Sequence, residues 1–415
     1  MEPDRFLQIP NRDRLSADIE ALAQITDPNQ PFTRRPFTDL FQRGRQWLRE
    51  RMEAAGLAVS LDAAGNLIGQ RAGAKDLPPI LVGSHTDTVA GGGRFDGVIG
   101  VLGGLEVARC LHELGISLRH PLEVVDFLAE EPTDFGVSTV GSRGMSGNLT
   151  AEMLAKTDPT GRTLRQALAE LGGRPDEIPS QVRKPGDIAA YLEMHIEQGP
   201  VLAQQGVPLA AVTGIAGIRR FTVEVQGEAN HAGTTPMALR KDALVAAAQL
   251  VVDAEAIFRR ESGAVGTVGR LAVSPNMANV VPGRVEFIAE MRSIDPQVIE
   301  RMGLAFQARA AEVAAQRGVD ITVRLLTDAT PVQADARLVE ITTRACRQAA
   351  PEALVLPSGA GHDGMQIGTI APIGMIFVPS RDGKSHTSEE WTDLEDIALG
   401  VQAMARALVE ADRAF

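Results

Sequence analysis

The sequence predicts an α/β protein in which a larger domain, a mixed and largely parallel sheet flanked by helices, is interrupted by a smaller α+β domain. Three observations carry this. Short apolar runs that read as buried strands are followed by polar loops, and in places by apolar residues at helical spacing. Between about residues 214 and 329 the texture changes to alternating, half-exposed strands and two long helices, in the order strand–helix–strand–strand–helix–strand. The length, 415 residues, suits two domains or one large domain with an insertion. The expected boundaries are 1–213 with 330–415 for the larger domain and 214–329 for the inserted one.

Taken in order, residues 11–25 and 38–55 read as amphipathic helices, the second closed by Gly56. The proline-punctuated loop between them, DPNQPFTRRPF, either reaches toward a functional site or runs over the surface, and the surface course is expected. Residues 57–71 read as a hairpin turning at Ala64, Gly65 and Asn66. Ile80, Leu81 and Val82 form a buried strand that Gly83 should end. Beyond it lie His85, Asp87, a glycine run, Arg94, Phe95 and Asp96, and then a helix over 98–114 that finishes at Gly115.

That loop sits where open α/β sheets build their ligand sites. Its glycines let Asp96 approach His85, and Asp87 is placed to accept the second ring N–H of a ligating His85. GGGRFDG lacks the Lys-Ser/Thr pair of a phosphate-binding loop. A second strand, 122–128, leads into Glu130 and Glu131. Successive strand-end residues point opposite ways, so one carboxylate could bind a metal while the other faces a bound water. A third strand, 189–194, ends at His195 in HIEQGP, and a fourth, 371–378, is followed by SRDGKSHTSEE with His386. Four separate segments thus bring imidazoles and carboxylates to strand ends. The joint set suits a pair of divalent ions sharing a water.

The inserted region opens on the alternating strand IRRFTVEVQG. A polar loop, Asn230 to Pro236, precedes a helix over 240–261. Strands at 264–273 and 284–292, a helix at 296–317 and a strand at 320–326 complete it.

Composition narrows the function classes. The formal net charge of −12 argues against a nucleic-acid partner. No apolar stretch reaches membrane-spanning length, and the opening MEPDRFLQIP lacks a basic segment followed by an apolar run. Cys110 falls in an apolar helical pattern, so it and Cys346 are expected as buried free thiols, and the protein as cytoplasmic.

In order along the chain, GSHTDTV, GGRFDGVIG, EE, HIEQGP, NHAGTTPM, NMANVVPG, SGAGHDG and GKSHTSEE resemble the motifs of the M20-type metallohydrolases. Within that group the match is to the hydantoinase/carbamoylase branch, which holds N-carbamoyl-L-amino-acid hydrolases, β-ureidopropionases and allantoate amidohydrolases. HIEQGP and GAGHD separate this branch from the dipeptidases and deacetylases. The resemblance covers almost the whole chain.

It implies two divalent metal ions per subunit, zinc first, with manganese, cobalt or nickel as alternatives. One metal falls to His85 and His195 and the other to Glu131 and His386, with Asp96 bridging. Glu130 is implied as the general base toward the bridging water. His231 is implied to polarise the scissile carbonyl from the inserted domain of a partner subunit. Gln198, Asn279 and Arg292 are implied substrate contacts, Arg292 as a two-pronged clamp for a carboxylate. Gly361 and His362 would lie in the loop closing the same pocket. The substrate is then a small N-carbamoyl carboxylate such as an N-carbamoyl-L-amino acid. The alternatives are an N-acyl-amino-acid deacylase, a dipeptidase-like hydrolase or an allantoate-type amidohydrolase. The inserted domain is implied to dimerise through its exposed strand edge and to close as a lid about hinges near 214–217 and 328–331. One departure stands out. Where the branch has a run of the type EEGSRFG, this chain has Glu130, Glu131, Pro132, Thr133, Asp134, Phe135 and Gly136. An acid thus replaces a base beside the site.

Overall fold

A computed structural model describes residues 9–415. Most of the opening stretch read for a leader, residues 1–8, lies outside the described residues. The chain divides into two compact units, one running to Thr213 and resuming at Gln333–Phe415, the other Gly214–Val332. At the crossing the Ala334 N–H donates to the Thr213 carbonyl, 3.0 Å away.

The larger unit is built on a mixed sheet. At its centre Leu122–Phe127, Ile80–His85, Ala190–Ile196 and Ile373–Val378 run parallel in that spatial order. Antiparallel strands flank them, Ala58–Leu61 and Leu67–Arg71 on one side and Ala210–Ile215 on the other. Every residue of the four central strands is buried, which is why they read as near-continuous apolar runs. Helices Val98–Glu113 and Leu394–Ala414 pack on this sheet and on each other. Because the four strands are parallel, their carboxyl ends lie along one sheet edge, and the loops leaving that edge carry the sequence-predicted site.

Three details differ from the sequence reading. Gly83 does not end its strand: Ser84 and His85 continue the ladder opposite Asp126 and Phe127. His195 likewise lies inside the strand Ala190–Ile196 and not just past it. Polar side chains extend both strands because they find partners there, as when the Ser84 hydroxyl donates to Glu193 Oε1 at 2.7 Å. The loop at 26–37 does not merely run over the surface. Arg34 is buried and donates to the carbonyls of Leu22, Ile25 and Thr86, while its own N–H donates to the Thr88 hydroxyl at 2.8 Å. A buried guanidinium with carbonyl partners thus anchors the chain that follows His85.

The smaller unit is a four-stranded antiparallel sheet, Asp320–Ala329, Gly217–Gln226, Arg284–Ser293 and Ala264–Ser274 in spatial order. Helices Ala243–Phe258 and Pro296–Arg317 cover one face. Alternation along Arg284–Ser293 buries Val285, Phe287, Ala289 and Met291 against Ala246, Leu250 and Phe306. The first helix starts later than its apolar pattern suggests, because Asp242 caps it through Leu244 N and Val245 N. Both cysteines are buried and free. No helix among the described residues is long and apolar enough to cross a membrane.

Candidate metal centre

Four loops and strand ends meet in the larger unit. His85 closes its strand, and its Nδ1–H donates to the Asp87 carbonyl at 3.0 Å. The His195 Nδ1–H donates in the same way to the Ile196 carbonyl at 2.9 Å. A carbonyl can only accept, so both rings carry a proton on Nδ1, which leaves Nε2 as the nitrogen that faces the donor set.

Asp96 lies between two donor groups. Its Oδ1 is 3.1 Å from His195 Nε2 and its Oδ2 is 3.0 Å from His386 Nε2. Glu131 Oε1 stands 3.2 Å from that same His386 nitrogen. One donor atom each from His85, Asp96 and His195 lies within 4.8 Å of the others, and the same holds for Asp96, Glu131 and His386. The two groups share one carboxylate, so the set could hold one divalent cation or two. The donors fit such ions chemically, being imidazole and carboxylate with no thiolate.

Burial and charge sharpen the fit. His85, Asp96, Glu131 and His195 are all no more than 4% exposed. Burial opposes ionisation of Asp96, yet hydrogen bonds from His195 and His386 outweigh it and hold its carboxyl well below the usual range. Burial likewise disfavours a charged His85, but Glu130, Asp87, Asp96 and Glu131 around it raise its pKa well above the ordinary value. So much negative charge in a dry site calls for cations.

Glu130 stands beside the donors, its Oε2 3.8 Å from His85 Nε2. Burial, with Glu131 nearby, raises its pKa well above that of a free glutamate. Ala129 turns the chain with a φ of 53°, and Asp87 catches the turn. Its Oδ1 accepts from Glu130 N at 3.2 Å and its Oδ2 from Glu131 N at 3.1 Å. This corrects the expected role of Asp87. Its backbone carbonyl orients His85, while its carboxylate, 3.7 Å from His85 Nδ1, sets the two glutamates. Gly97 must be glycine, since its φ is 67° and a Cβ there would lie 2.4 Å from the His85 ring.

Gln198, expected as a substrate contact, donates from Nε2 to Asp96 Oδ2 at 3.0 Å and so borders the donor set. His362 is 1% exposed, with its ring 4.4 Å from that of His195 and its Nε2 2.8 Å from the Ser358 hydroxyl. It is therefore packed beneath a donor and not open as a substrate contact. Gly361 beside it is partly exposed. Asp134 pairs with Arg35 at 2.7 Å, so the acid beside the glutamates meets a base from the loop at 26–37.

In the smaller unit the structure brings two expected residues together and leaves one apart. His231 pairs with Val280 in a two-residue ladder, and the Ala232 N–H donates to the Asn279 carbonyl at 2.9 Å. Both His231 and Asn279 are exposed. Arg292 lies near the other end of Arg284–Ser293, opposite Ile218 and Val265. At strand rise that is roughly 27 Å from the Arg284 end, where the His231 ladder joins.

Among the buried acids that escaped the sequence reading, Glu193 and Glu390 touch the donor set. Glu193 forms a further close group with His195 and His362, and the signal was an acid two residues before His195 inside an apolar run. Glu390 is the last residue of GKSHTSEE, and it accepts backbone N–H groups from the Asp96 loop.

Residues 81–410 match peptidase family M20/M25/M40. An N-carbamoyl-L-amino acid amidohydrolase of Geobacillus stearothermophilus is 44% identical over 394 residues, 94% of this chain and 96% of that protein. The allantoate amidohydrolase of Bacillus subtilis is 34% identical, covering 94% of this chain and 95% of its own length. The crystal structure of a hydantoinase/carbamoylase-family amidase from Burkholderia multivorans superposes with a TM-score of 0.91 at 34% identity, covering 97% of this chain and 98% of that one.

Proposed function

The chain belongs to peptidase family M20/M25/M40 and is a hydrolase, and from that premise we propose that it cleaves the ureido C–N bond of a small N-carbamoyl carboxylate, such as an N-carbamoyl-L-amino acid. The observation that carries the proposal is the Asp96 carboxylate shared between two donor groups with Glu130 beside them. His85 and His195 would hold one divalent cation, Glu131 and His386 a second, and Asp96 both. When bound, such ions lower the pKa of water to about 7 and polarise a carbonyl. Their identity is open among zinc, manganese, cobalt and nickel.

Glu130 takes a proton from the attacking water and hands it to the leaving nitrogen. Its buried, acid-rich surroundings favour the protonated form between those steps. Asp87 keeps Glu130 and Glu131 facing their separate tasks through the two backbone N–H bonds. His231 donates to the oxygen on which charge develops, and Arg292 clamps the substrate carboxylate by two parallel bonds. Asn279 and Gln198 orient the ureido group.

The same reading makes the protein a cytoplasmic homodimer joined through its smaller unit, which also acts as a lid, with His231 serving the partner's site. The separation of His231 and Asn279 from Arg292 along one sheet supports this, because one copy does not gather the three. So does the largely exposed edge strand Ala264–Ser274.

A second reading, an allantoate-type amidohydrolase or an N-acyl-amino-acid deacylase, draws on Asp134, whose pairing with Arg35 changes the charge beside the glutamates. Product analysis separates the readings. N-carbamoyl amino acids should yield ammonia and the free amino acid in equal amounts with added zinc, manganese, cobalt or nickel. Release of a carboxylic acid from N-acyl amino acids, without ammonia from any ureido compound, would replace the carbamoylase reading by the deacylase one.

A further inference from the structure

Glu390 is 1% exposed and lies in no donor group described above. Its Oε1 accepts from the Phe95 N–H at 2.9 Å and from the Asp96 N–H at 3.2 Å. Its Oε2 accepts from the Ser385 hydroxyl at 3.0 Å, and that same hydroxyl is 3.3 Å from Asp96 Oδ2. One buried carboxylate thus ties the loop that carries Asp96 to the loop that carries His386, nearly three hundred residues apart in sequence.

The chain makes room for this tie at Gly93. A Cβ at that position would fall 1.8–2.1 Å from the Glu390 carboxylate atoms. No left-handed backbone requires a glycine there, so it is the carboxylate that excludes a side chain. The other donor group shares Asp96 but takes its remaining two donors from residues that Glu390 does not bond. His85 and His195 are fixed by neighbouring backbone carbonyls within their own strand ends.

We infer that Glu390 is a positioning residue that holds the Asp96 and His386 loops in register, so that its loss weakens the cation position of Asp96, Glu131 and His386 and spares that of His85, Asp96 and His195. The inference rests on the two-cation reading proposed above. The groups that orient metal ligands commonly contribute 10–100-fold to affinity, and a loss of that size is expected at one position only.

The test is equilibrium dialysis of the full metal-stripped chain against zinc, counting ions bound per chain at each free concentration. Wild type should bind two. Glu390→Ala should keep one at wild-type affinity and bind the second 10–100-fold more weakly, matching the profile of His386→Ala. Glu390→Gln keeps an oxygen that can accept both backbone N–H bonds, and should hold the second ion within a few-fold of wild type. Gly93→Ala should reproduce the Glu390→Ala profile by displacing the carboxylate, and should add little in a Glu390→Ala background, where that space is free. This second route serves if Glu390→Ala does not fold. Two ions bound at wild-type affinity in Glu390→Ala and Gly93→Ala would overturn this inference alone, as would equal weakening of both positions. Fewer than two ions in wild type would overturn the two-cation reading and this inference with it.

Discussion

In the larger unit four of the five donor side chains, His85, Asp96, Glu131 and His195, are buried to within a few per cent and His386 alone is exposed, whereas in the smaller unit both His231, on a two-residue ladder, and Asn279 beside it stand exposed. The difference lies in what each set must do. A cluster that gathers cations gains from donors that are buried and fixed before the ions arrive, because exposed donors lose to water and side-chain entropy, and of the five donors only His386 is left in the open. A group that meets substrate can wait in the open, provided that substrate or a second chain supplies its surroundings later. On the proposed function the larger unit contains the donor set, while the smaller unit contributes residues whose environment is completed from outside.

The sharpest way to break this contrast is to remove the chemistry without removing the ions. Glu130→Gln should bind metal as wild type does and lose turnover by roughly 10²–10⁴-fold, the usual contribution of a general acid–base. Metal analysis beside steady-state rates checks it, and a large loss of metal would move Glu130 into the donor set.

The exposed side of the comparison gives the next largest effect. His231→Ala should retain metal and lower kcat by roughly 10²–10³-fold, the scale of losing one donor to a developing oxyanion. Because His231 is proposed to act on the partner's site, mixing His231→Ala with Glu130→Gln should return activity once subunits exchange. Each heterodimer then holds one intact site. Verified exchange with no recovery would place His231 on its own chain's site or outside catalysis.

The smallest effect is expected at the rim. Arg35 and Asp134 form an exposed pair, which contributes at most about 1 kcal/mol to stability. Asp134→Ala should leave the thermal midpoint nearly unchanged and alter the relative kcat/KM among N-carbamoyl substrates that differ in side-chain charge. An unchanged ranking would confine Asp134 to the surface.

Much of this was legible before any coordinates. Apolar runs ending in His, Asp or Glu marked the four converging strands, and the alternating pattern from Gly217 onward marked the smaller unit. What could not be read depended on partners distant in sequence. Ser84 and His85 extend a strand because Glu193 and Phe127 lie opposite them. Arg34 turns inward because three carbonyls from two other segments converge on it. The HTD spacing suggested a carboxylate on a histidine, but the left-handed turn at Ala129 brings two N–H groups to Asp87 instead. Glu390 stands beside another acid in a polar loop, and its partners at Phe95 and Asp96 are set by tertiary folding alone.

The central claim is that two cations held around Asp96 serve hydrolysis of an N-carbamoyl substrate. Its most direct test is to strip the chain of metal and follow ammonia release from an N-carbamoyl-L-amino acid while zinc is added back stepwise. The account predicts no turnover in the stripped chain, little at one equivalent, and full activity as the second equivalent per chain binds. Full turnover in metal-free protein, or saturation at a single equivalent, would contradict it.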